Sequence, residues 1–300
     1  MKRYATPLAF KEALEARLRA ASRSGGQEQN RLRMRLLMDR FAARVVHEYG
    51  EHVVLKGGVV LELRLSEARA TKDLDLRLVG DPDATLTRLQ RAGRENLGDH
   101  LAFEVGPDPR HPTIESEGMQ YQGLRFRVQA RLAAKVYGGP FGVDAAFAEP
   151  LVGDPELLRG SEFLAFAGVE PPTLLVYPLE AHIAEKLHAY TLPRSRPNSR
   201  VKDLPDLALL ARVRPIDAVT LRDALDRTFA HRAVHTVPTE VPDPPEAWRV
   251  PYARLARRDR LPWIDLAAVA ETTRAFLDPV LSGGGGLWSP SAWRWEAEEP

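Results

Sequence analysis

The most informative absence from this sequence is that of cysteine. None of the 300 residues is Cys, which excludes disulfides, thiolate metal ligands and cysteine nucleophiles. No signal peptide and no apolar run long enough to cross a bilayer are present, so we predict a cytoplasmic protein without a membrane partner. Neither sign of charge is in excess, because 42 Lys and Arg accompany 41 Asp and Glu. Any contact with nucleic acid must therefore come from a local basic patch.

The residues that are present form an ordinary globular composition, 44% apolar and 28% charged, long enough for one large domain or two smaller ones. Pro and Gly punctuate residues 151–172, where we place the boundary between two lobes. We predict N-terminal helices and a first lobe over 1–165, and a helical lobe over 166–282. A tail over 283–300, joined by a flexible glycine link, carries tryptophans expected to pack back on the helical lobe.

The centre of the chain, residues 53–78, combines two features that suit a nucleotide. A short apolar strand ends at Lys56, and Gly57 and Gly58 form a turn before an apolar helix. Glycines at a strand-to-helix turn let backbone N–H groups approach an anion, and the positive end of the helix dipole strengthens the attraction. A glycine pair alone is more often just a turn.

The second feature is the strand T-K-D-L-D-L-R-L that follows. Alternation places Thr71, Asp73 and Asp75 on one face and three leucines on the other. Neighbouring carboxylates repel each other, and a divalent cation between them removes that repulsion. Such alternation is also common on solvated strands, but next to a phosphate-binding turn it indicates nucleotide and metal binding.

A third carboxylate lies within the apolar strand over residues 141–147. An ionised Asp144 is costly there unless it is paired or bound to metal, although local hydrogen bonds are an equally good explanation from the residues alone.

A helix beginning near Pro178 places Lys186 on the face beside its apolar stripe, where most lysines are simply solvated. After a loop at 193–199 comes R-V-K-D-L-P-D-L, in which we predict Asp203 as helix N-cap and Pro205 in the first turn. Asp203 therefore has a structural explanation as well as a functional one.

Basic residues follow two segments. In residues 123–132 they alternate with apolar residues, so Arg125, Arg127 and Arg131 share one face, which we predict to track RNA beside the strand of Asp144. The alternatives are pairing with acids such as Glu104, or binding of a triphosphate. The arginines of the helix over 28–49 are interpreted as a solvated face in preference to a phosphate-binding surface.

These motifs together resemble a known family. K-G-G-x4-L-R followed by R-x-T-x-D-x-D is similar to the AbiEii-type nucleotidyltransferase toxins of bacterial toxin–antitoxin systems, within the polymerase-β-like superfamily. E-K-L-H with R-x-K-D-L-x-D-L resembles the second signature of the family. One departure is Gly58, which stands where many superfamily members carry Ser.

The resemblance implies an α+β fold, with a polymerase-β-like nucleotidyltransferase lobe and a mostly helical C-terminal lobe. It implies metal-dependent transfer of a nucleoside monophosphate from an NTP, with Mg²⁺, or alternatively Mn²⁺, as cofactor. The residues expected to be catalytic, the first three as metal ligands, are Asp73, Asp75, Asp144, Lys186 and Asp203. The residues expected to bind the NTP are Lys56, Gly57, Gly58, Thr71, Lys186, Arg200 and Lys202.

The resemblance further implies partners and an outcome. The acceptor would be RNA, expected to be the 3′ end of tRNA, so that translation is blocked, and a cognate antitoxin would be encoded nearby. Two alternatives stay open. One is an enzyme of the same fold that nucleotidylates a protein hydroxyl, and the other is a non-catalytic nucleotide-binding module.

Overall fold

The computed structural model describes residues 4–65, 68–114, 123–147, 151–194 and 200–297. The loop predicted at 193–199 lies largely outside these ranges. Two helices joined by a short turn open the chain, α1 (Pro7–Gly25) and α2 (Gln29–Tyr49), as their apolar spacing predicts. Thr6 caps α1 by accepting a hydrogen bond from the backbone N–H of Ala9, and a left-handed Gly26 ends it.

A mixed sheet follows. Its strands are β1 (Val53–Lys56), β2 (Asp73–Leu78), β3 (Leu101–Pro107), β4 (Gly123–Leu132), β5 (Lys135–Val136), β6 (Phe141–Phe147), β7 (Glu156–Arg159) and β8 (Thr173–Val176). Their spatial order is β3-β4-β6-β2-β1-β8-β7, and β5 pairs with β4. The central strand β2 runs antiparallel to β1 and parallel to β6, so both of its edges are hydrogen-bonded.

The remaining elements are mostly helical. The helices are α3 (Gly57–Arg64), α4 (Thr85–Arg94), α5 (Leu179–Thr191), α6 (Asp203–Leu210), α7 (Ala218–Arg232), α8 (Arg249–Asp259) and α9 (Leu266–Leu281). A small second sheet joins β9 (Ile216–Asp217), β10 (Leu287–Ser289) and β11 (Arg294–Glu296). Short 3₁₀ turns occupy Gly50–His52, Glu162–Ala167 and Glu246–Trp248. The α+β prediction is confirmed.

Buried apolar side chains form two large clusters. The sheet cluster contains residues from Phe10 to Val176 and fills the space between α1, α2 and the first sheet. The helical cluster contains residues from Leu61 to Trp288, mainly from α5 to α9. The proposed limits of lobes and tail stay a prediction.

The tail packs on the helical cluster, as predicted, because Trp288 is fully buried in it. The glycine link, predicted to be flexible, is fixed by backbone hydrogen bonds. The N–H of Gly284 donates to Pro279 O over 2.7 Å, and the N–H of Ala218 donates to Gly286 O over 3.0 Å. Within the described part of the chain, no helix is both long and apolar enough to span a membrane.

The interpretation of α2 as a solvated arginine face is wrong for two of its arginines. Arg40 and Arg44 are buried, and both bind the fully buried Asp99, at 2.7 Å and 2.6 Å. A paired carboxylate offsets the cost of burying each guanidinium. This cluster fixes α2 to the start of β3, a pairing across more than fifty residues that helical periodicity cannot show.

Candidate active site

The turn between β1 and α3 is shaped by its two glycines. Gly57 has φ +68°, in the left-handed region, and a Cβ at this position would collide with the carboxylate of Asp75. A Cβ at Gly58 would come within 2.7 Å of the Thr71 hydroxyl oxygen. The glycines therefore let the turn close on β2, which brings the predicted phosphate-binding and acidic segments together.

Asp73 and Asp75 lie on the face of β2 opposite its buried leucines, as predicted. In register, Asp75 stands between Lys56 of β1 and Asp144 of β6. Partial burial and the like charge of Asp144 raise the pKa of Asp73, and burial with the same neighbour raises the pKa of Asp75 to about 6. Lys56 and Lys186 favour the charged form of Asp75. The site therefore carries negative charge that is only partly compensated.

Asp144 is held by an arginine. The guanidinium of Arg125 donates to both of its carboxylate oxygens, from Nε over 2.7 Å and from a terminal nitrogen over 2.6 Å. Pairing, metal binding and local hydrogen bonds were the alternatives open from the sequence. The pairing with Arg125 on the adjacent strand explains how an Asp is tolerated here. Its role as third metal ligand stays a prediction.

The fit of this site to a cation rests on its oxygen donors. Hard divalent ions such as Mg²⁺ prefer carboxylates, and the raised pKa of Asp73 and Asp75 marks a place where a cation would relieve repulsion. Across the described ranges, no three His, Asp or Glu side chains are grouped closely enough to hold a metal ion. The residues present thus fit a cation bound by two carboxylates, which leaves positions for water and phosphate oxygens.

Lys186 is placed by two carboxylates of α6. Its Nζ lies 3.1 Å from Asp203 and 2.8 Å from Asp206. Arg69 forms two hydrogen bonds of 2.8 Å with Asp206. Burial lowers the pKa of Lys186, but the charges of Asp206 and Asp203 outweigh burial and raise it. Burial raises the pKa of Asp206, but Arg69 and Lys186 outweigh burial and lower it to about 2. Arg69, Lys186 and Asp206 are therefore charged at neutral pH.

The predicted N-cap of α6 needs correction. Lys202 is the N-cap and Asp203 is the first helical residue, because the Asp203 carboxylate binds Lys186 instead of its own helix. Asp206 and Arg69 are functional candidates that we did not assign from the sequence. The signals were present in D-L-P-D, whose acids are one helical turn apart, and in the Arg that begins R-x-T-x-D-x-D.

The remaining predicted NTP-binding cations surround this group. Arg200 is exposed and lies 3.7 Å from Asp203. Partial burial and Arg69 lower the pKa of Lys202, which Asp73 partly offsets. Lys56 lies 3.8 Å from Glu185. The structure therefore places Lys56 and Lys202 near the acidic face of β2 and Arg200 near Asp203 of α6, and their contact with NTP stays a prediction.

The arginine row of β4 is largely neutralised. Arg125 is paired with Asp144, and Arg131 is paired with Glu104 at 2.6 Å, which is the alternative considered for it above. Arg127 is exposed. The predicted role of this row in RNA binding is untested.

A cleft of about 960 Å³ opens beside Asp73, and we call it the Asp73 cleft. The residues that line it are Gly25, Gly26, Gln27, Glu28, Asn30, Arg31, Met34, Arg35, Met38, Glu62, Ala68, Ala70, Thr71, Lys72, Asp73, Pro140, Lys202, Arg257, Arg258, Asp259 and Arg260. It is large enough for a substrate to approach the acidic face of β2.

Comparison with known proteins gave a family and a fold. Residues 40–279 match the family described as nucleotidyl transferase AbiEii toxin, type IV TA system. Among solved structures, MenT4, a nucleotidyltransferase toxin from Mycobacterium tuberculosis H37Rv, is similar with a TM-score of 0.57 and 19% identity, covering 92% of each chain. JHP933 from Helicobacter pylori has a TM-score of 0.46 and 13% identity, covering 84% of this chain and 95% of its own. No match was found among curated proteins.

Proposed function

The chain belongs to the AbiEii family of nucleotidyltransferase toxins of type IV toxin–antitoxin systems, and from this premise we propose that it transfers a nucleoside monophosphate from an NTP to RNA. One observation carries the proposal. Asp73 and Asp75 share one face of β2, and both the glycine turn and Lys186 lie close to Asp75. A nucleotidyltransferase needs an NTP donor, and membership of the family implies an antitoxin partner.

The roles follow from position and charge. A divalent ion, when bound, would favour ionisation of the attacking hydroxyl and neutralise the leaving pyrophosphate. Asp73 and Asp75 would hold it. Asp144 would join them as a third ligand only by moving from Arg125, since no three carboxylates of the described residues are grouped for a metal ion in this arrangement. Lys186 stays charged between two carboxylates and would bind the triphosphate near the glycine turn.

The other proposed contacts complete the donor site. Gly57 and Gly58 offer backbone N–H groups at the start of α3, and Thr71 adds a hydroxyl against Gly58. Arg200 and Lys202 would assist the triphosphate. The acceptor that we propose is the 3′ end of tRNA, whose extension prevents charging and blocks translation; the support for tRNA is the family resemblance.

The test is to incubate the protein with each labelled NTP and with total RNA or total protein, in Mg²⁺ and in EDTA. We expect label in RNA, only with metal, and none with Asp75→Ala. The loss should exceed about tenfold, because metal stabilisation is worth several kcal/mol and about 1.4 kcal/mol changes a rate tenfold.

The matched control is Asp223→Ala, which removes an exposed carboxylate of α7 far from β2 in sequence and leaves the acidic pair intact. A smaller loss for Asp75→Ala with a normal melting temperature would contradict the role of Asp75. Label in protein would favour the protein-modifying alternative, and NTP binding without any transfer would favour the non-catalytic module.

A further inference from the structure

The Asp73 cleft is walled by elements that are distant in sequence. Its sides are the turn between α1 and α2, the first half of α2, the segment before β2, and the C-terminal end of α8. It reaches β2 at Asp73 and the start of α6 at Lys202. Among the described residues, the glycine turn and Lys186 do not line the cleft, whereas Thr71 and Lys202, which are proposed to bind the NTP, do. The cleft therefore leads to the edge of the proposed donor site.

The lining is strongly basic. Its seven basic side chains are Arg31, Arg35, Lys72, Lys202, Arg257, Arg258 and Arg260. Its four acidic side chains are Glu28, Glu62, Asp73 and Asp259. On a protein whose formal net charge is only +1, this excess is local, which is the kind of patch that a polyanion requires.

The acids leave several of these cations uncompensated. Asp259 is buried and binds Arg258 at 2.7 Å and Arg31 at 3.7 Å. Glu62 is also buried, burial raises its pKa, and it accepts the N–H of Thr71. These two carboxylates are therefore occupied by the fold and do not neutralise the mouth of the cleft.

Four basic side chains remain exposed in the cleft and form no ion pair with the described residues, namely Lys72, Lys202, Arg257 and Arg260. Arg260 is held against the turn between α1 and α2, since a Cβ at Gly26 would come within 2.5 Å of its guanidinium. Cations that lack a carboxylate partner at a concave surface are suited to phosphate.

We propose that the Asp73 cleft binds the phosphodiester backbone of the single-stranded end of the acceptor RNA and presents its terminal hydroxyl to Asp73. This rests on the proposed function and relocates acceptor binding from the arginine row of β4 to the end of α8. The cleft suits a few unpaired nucleotides, since sites of roughly 300–1,000 Å³ hold ligands of about nucleotide size.

The experiment measures binding of a short, fluorescently labelled single-stranded RNA with a free 3′ hydroxyl, by anisotropy over a series of salt concentrations. The test variant is Lys72→Ala with Arg257→Ala. The matched control is Lys135→Ala with Arg254→Ala, since both are exposed cations outside the cleft and Arg254 lies on the same helix as Arg257.

We expect the test variant to lower the slope of log affinity against log salt by about 0.7 for each lost phosphate contact. At about 0.1 M salt this corresponds to about a fivefold weaker affinity for each contact. The control variant should bind as the unmodified protein does. The thermal shift produced by NTP with Mg²⁺ should be equal in all three proteins. This result would show that the substitutions weaken RNA binding without affecting NTP binding.

The cleft proposal would be overturned by normal RNA binding of the test variant, by an equal loss in the control variant, or by loss of NTP binding along with RNA binding. A loss confined to Arg125→Ala with Arg127→Ala would return the acceptor to β4 and likewise overturn it. If RNA binds in the cleft as expected but no NTP transfers its nucleotide, the proposed transfer fails while the cleft assignment stands.

Discussion

Thr71 is the hydroxyl that packs against the glycine turn. Its backbone N–H donates to Glu62 over 2.7 Å, which fixes it above Gly58. A phosphate on Thr71 would add about two negative charges beside Asp73 and the proposed triphosphate site. We predict that Thr71→Glu lowers NTP affinity at least about tenfold, measured by calorimetry, while the neutral Thr71→Gln keeps most of it. Equal affinities for the two variants would show that charge at this position does not matter.

Arg125 and Asp144 form a pair whose energetic coupling can be measured. Because Arg125 is 36% exposed, solvent screens the interaction, and we predict a coupling of about 1 kcal/mol from urea unfolding of both single variants and the double variant. The variants are Arg125→Ala and Asp144→Asn. Additive effects on the free energy of unfolding would contradict the pairing.

The same two variants test the third metal ligand. If Asp144 contributes to cation binding, Asp144→Asn should reduce the thermal shift produced by Mg²⁺, whereas Arg125→Ala should preserve or increase it by releasing the carboxylate. Equal reduction by both would mean that Asp144 acts on the metal only through Arg125.

At the scale of the helix, α5 contains a buried His182 whose ring nitrogens have no hydrogen-bond partner among the described residues. Burial and the charge of Lys186 lower the pKa of His182 to about 3. The unfolded chain takes up a proton near pH 6.5 and the folded chain does not, so stability falls as the pH drops from about 6.5 toward 3.

We predict that His182→Leu removes this component of the pH dependence. Between pH 8 and pH 5 the variant should gain roughly 2 kcal/mol in free energy of unfolding relative to the unmodified protein, since one pKa unit is worth about 1.4 kcal/mol. Urea unfolding at the two pH values measures it. Parallel pH profiles would show that His182 is not protonated on unfolding in this range.

The elements that could be predicted from sequence are those in which periodicity and chemistry agree. β2 alternates strictly, so both its core face and its acidic face follow from the residues. The start of α6 was misplaced by one residue because Asp203 has a partner on another helix, Lys186. Arg44 was misjudged for the same reason, since its partner Asp99 is remote in sequence. Local sequence patterns predict helices and strands, but they do not show ion pairs between residues that are distant in sequence.

For the molecule as a whole, the Asp73 cleft shows the same limit, because its walls come from α2, the segment before β2 and α8. The basic residues of α8 carry no alternation or motif that points to a ligand. Only their position opposite β2 makes them candidates, and position is a property of the assembled fold.

The C-terminal strands complete the helical cluster through Trp288. This side chain is fully buried, donates from its indole nitrogen to Ala211 O over 2.7 Å, and contacts the ring of Phe276. We predict that Trp288→Ala lowers the free energy of unfolding by about 3–5 kcal/mol, measured by urea unfolding. Leu287→Ala, in the adjacent exposed position, should change it by less than about 1 kcal/mol; equal losses would mean that Trp288 is not part of the core.

The two faces of β2 also bear on how a host escapes poisoning by mutation. Because the leucines build the core and the proposed chemistry rests on the carboxylates, an allele that loses Asp73 or Asp75 keeps the buried leucine contacts and loses a like-charge repulsion with Asp144. Under the proposed function, a single substitution of either acid would therefore yield an intact but harmless protein.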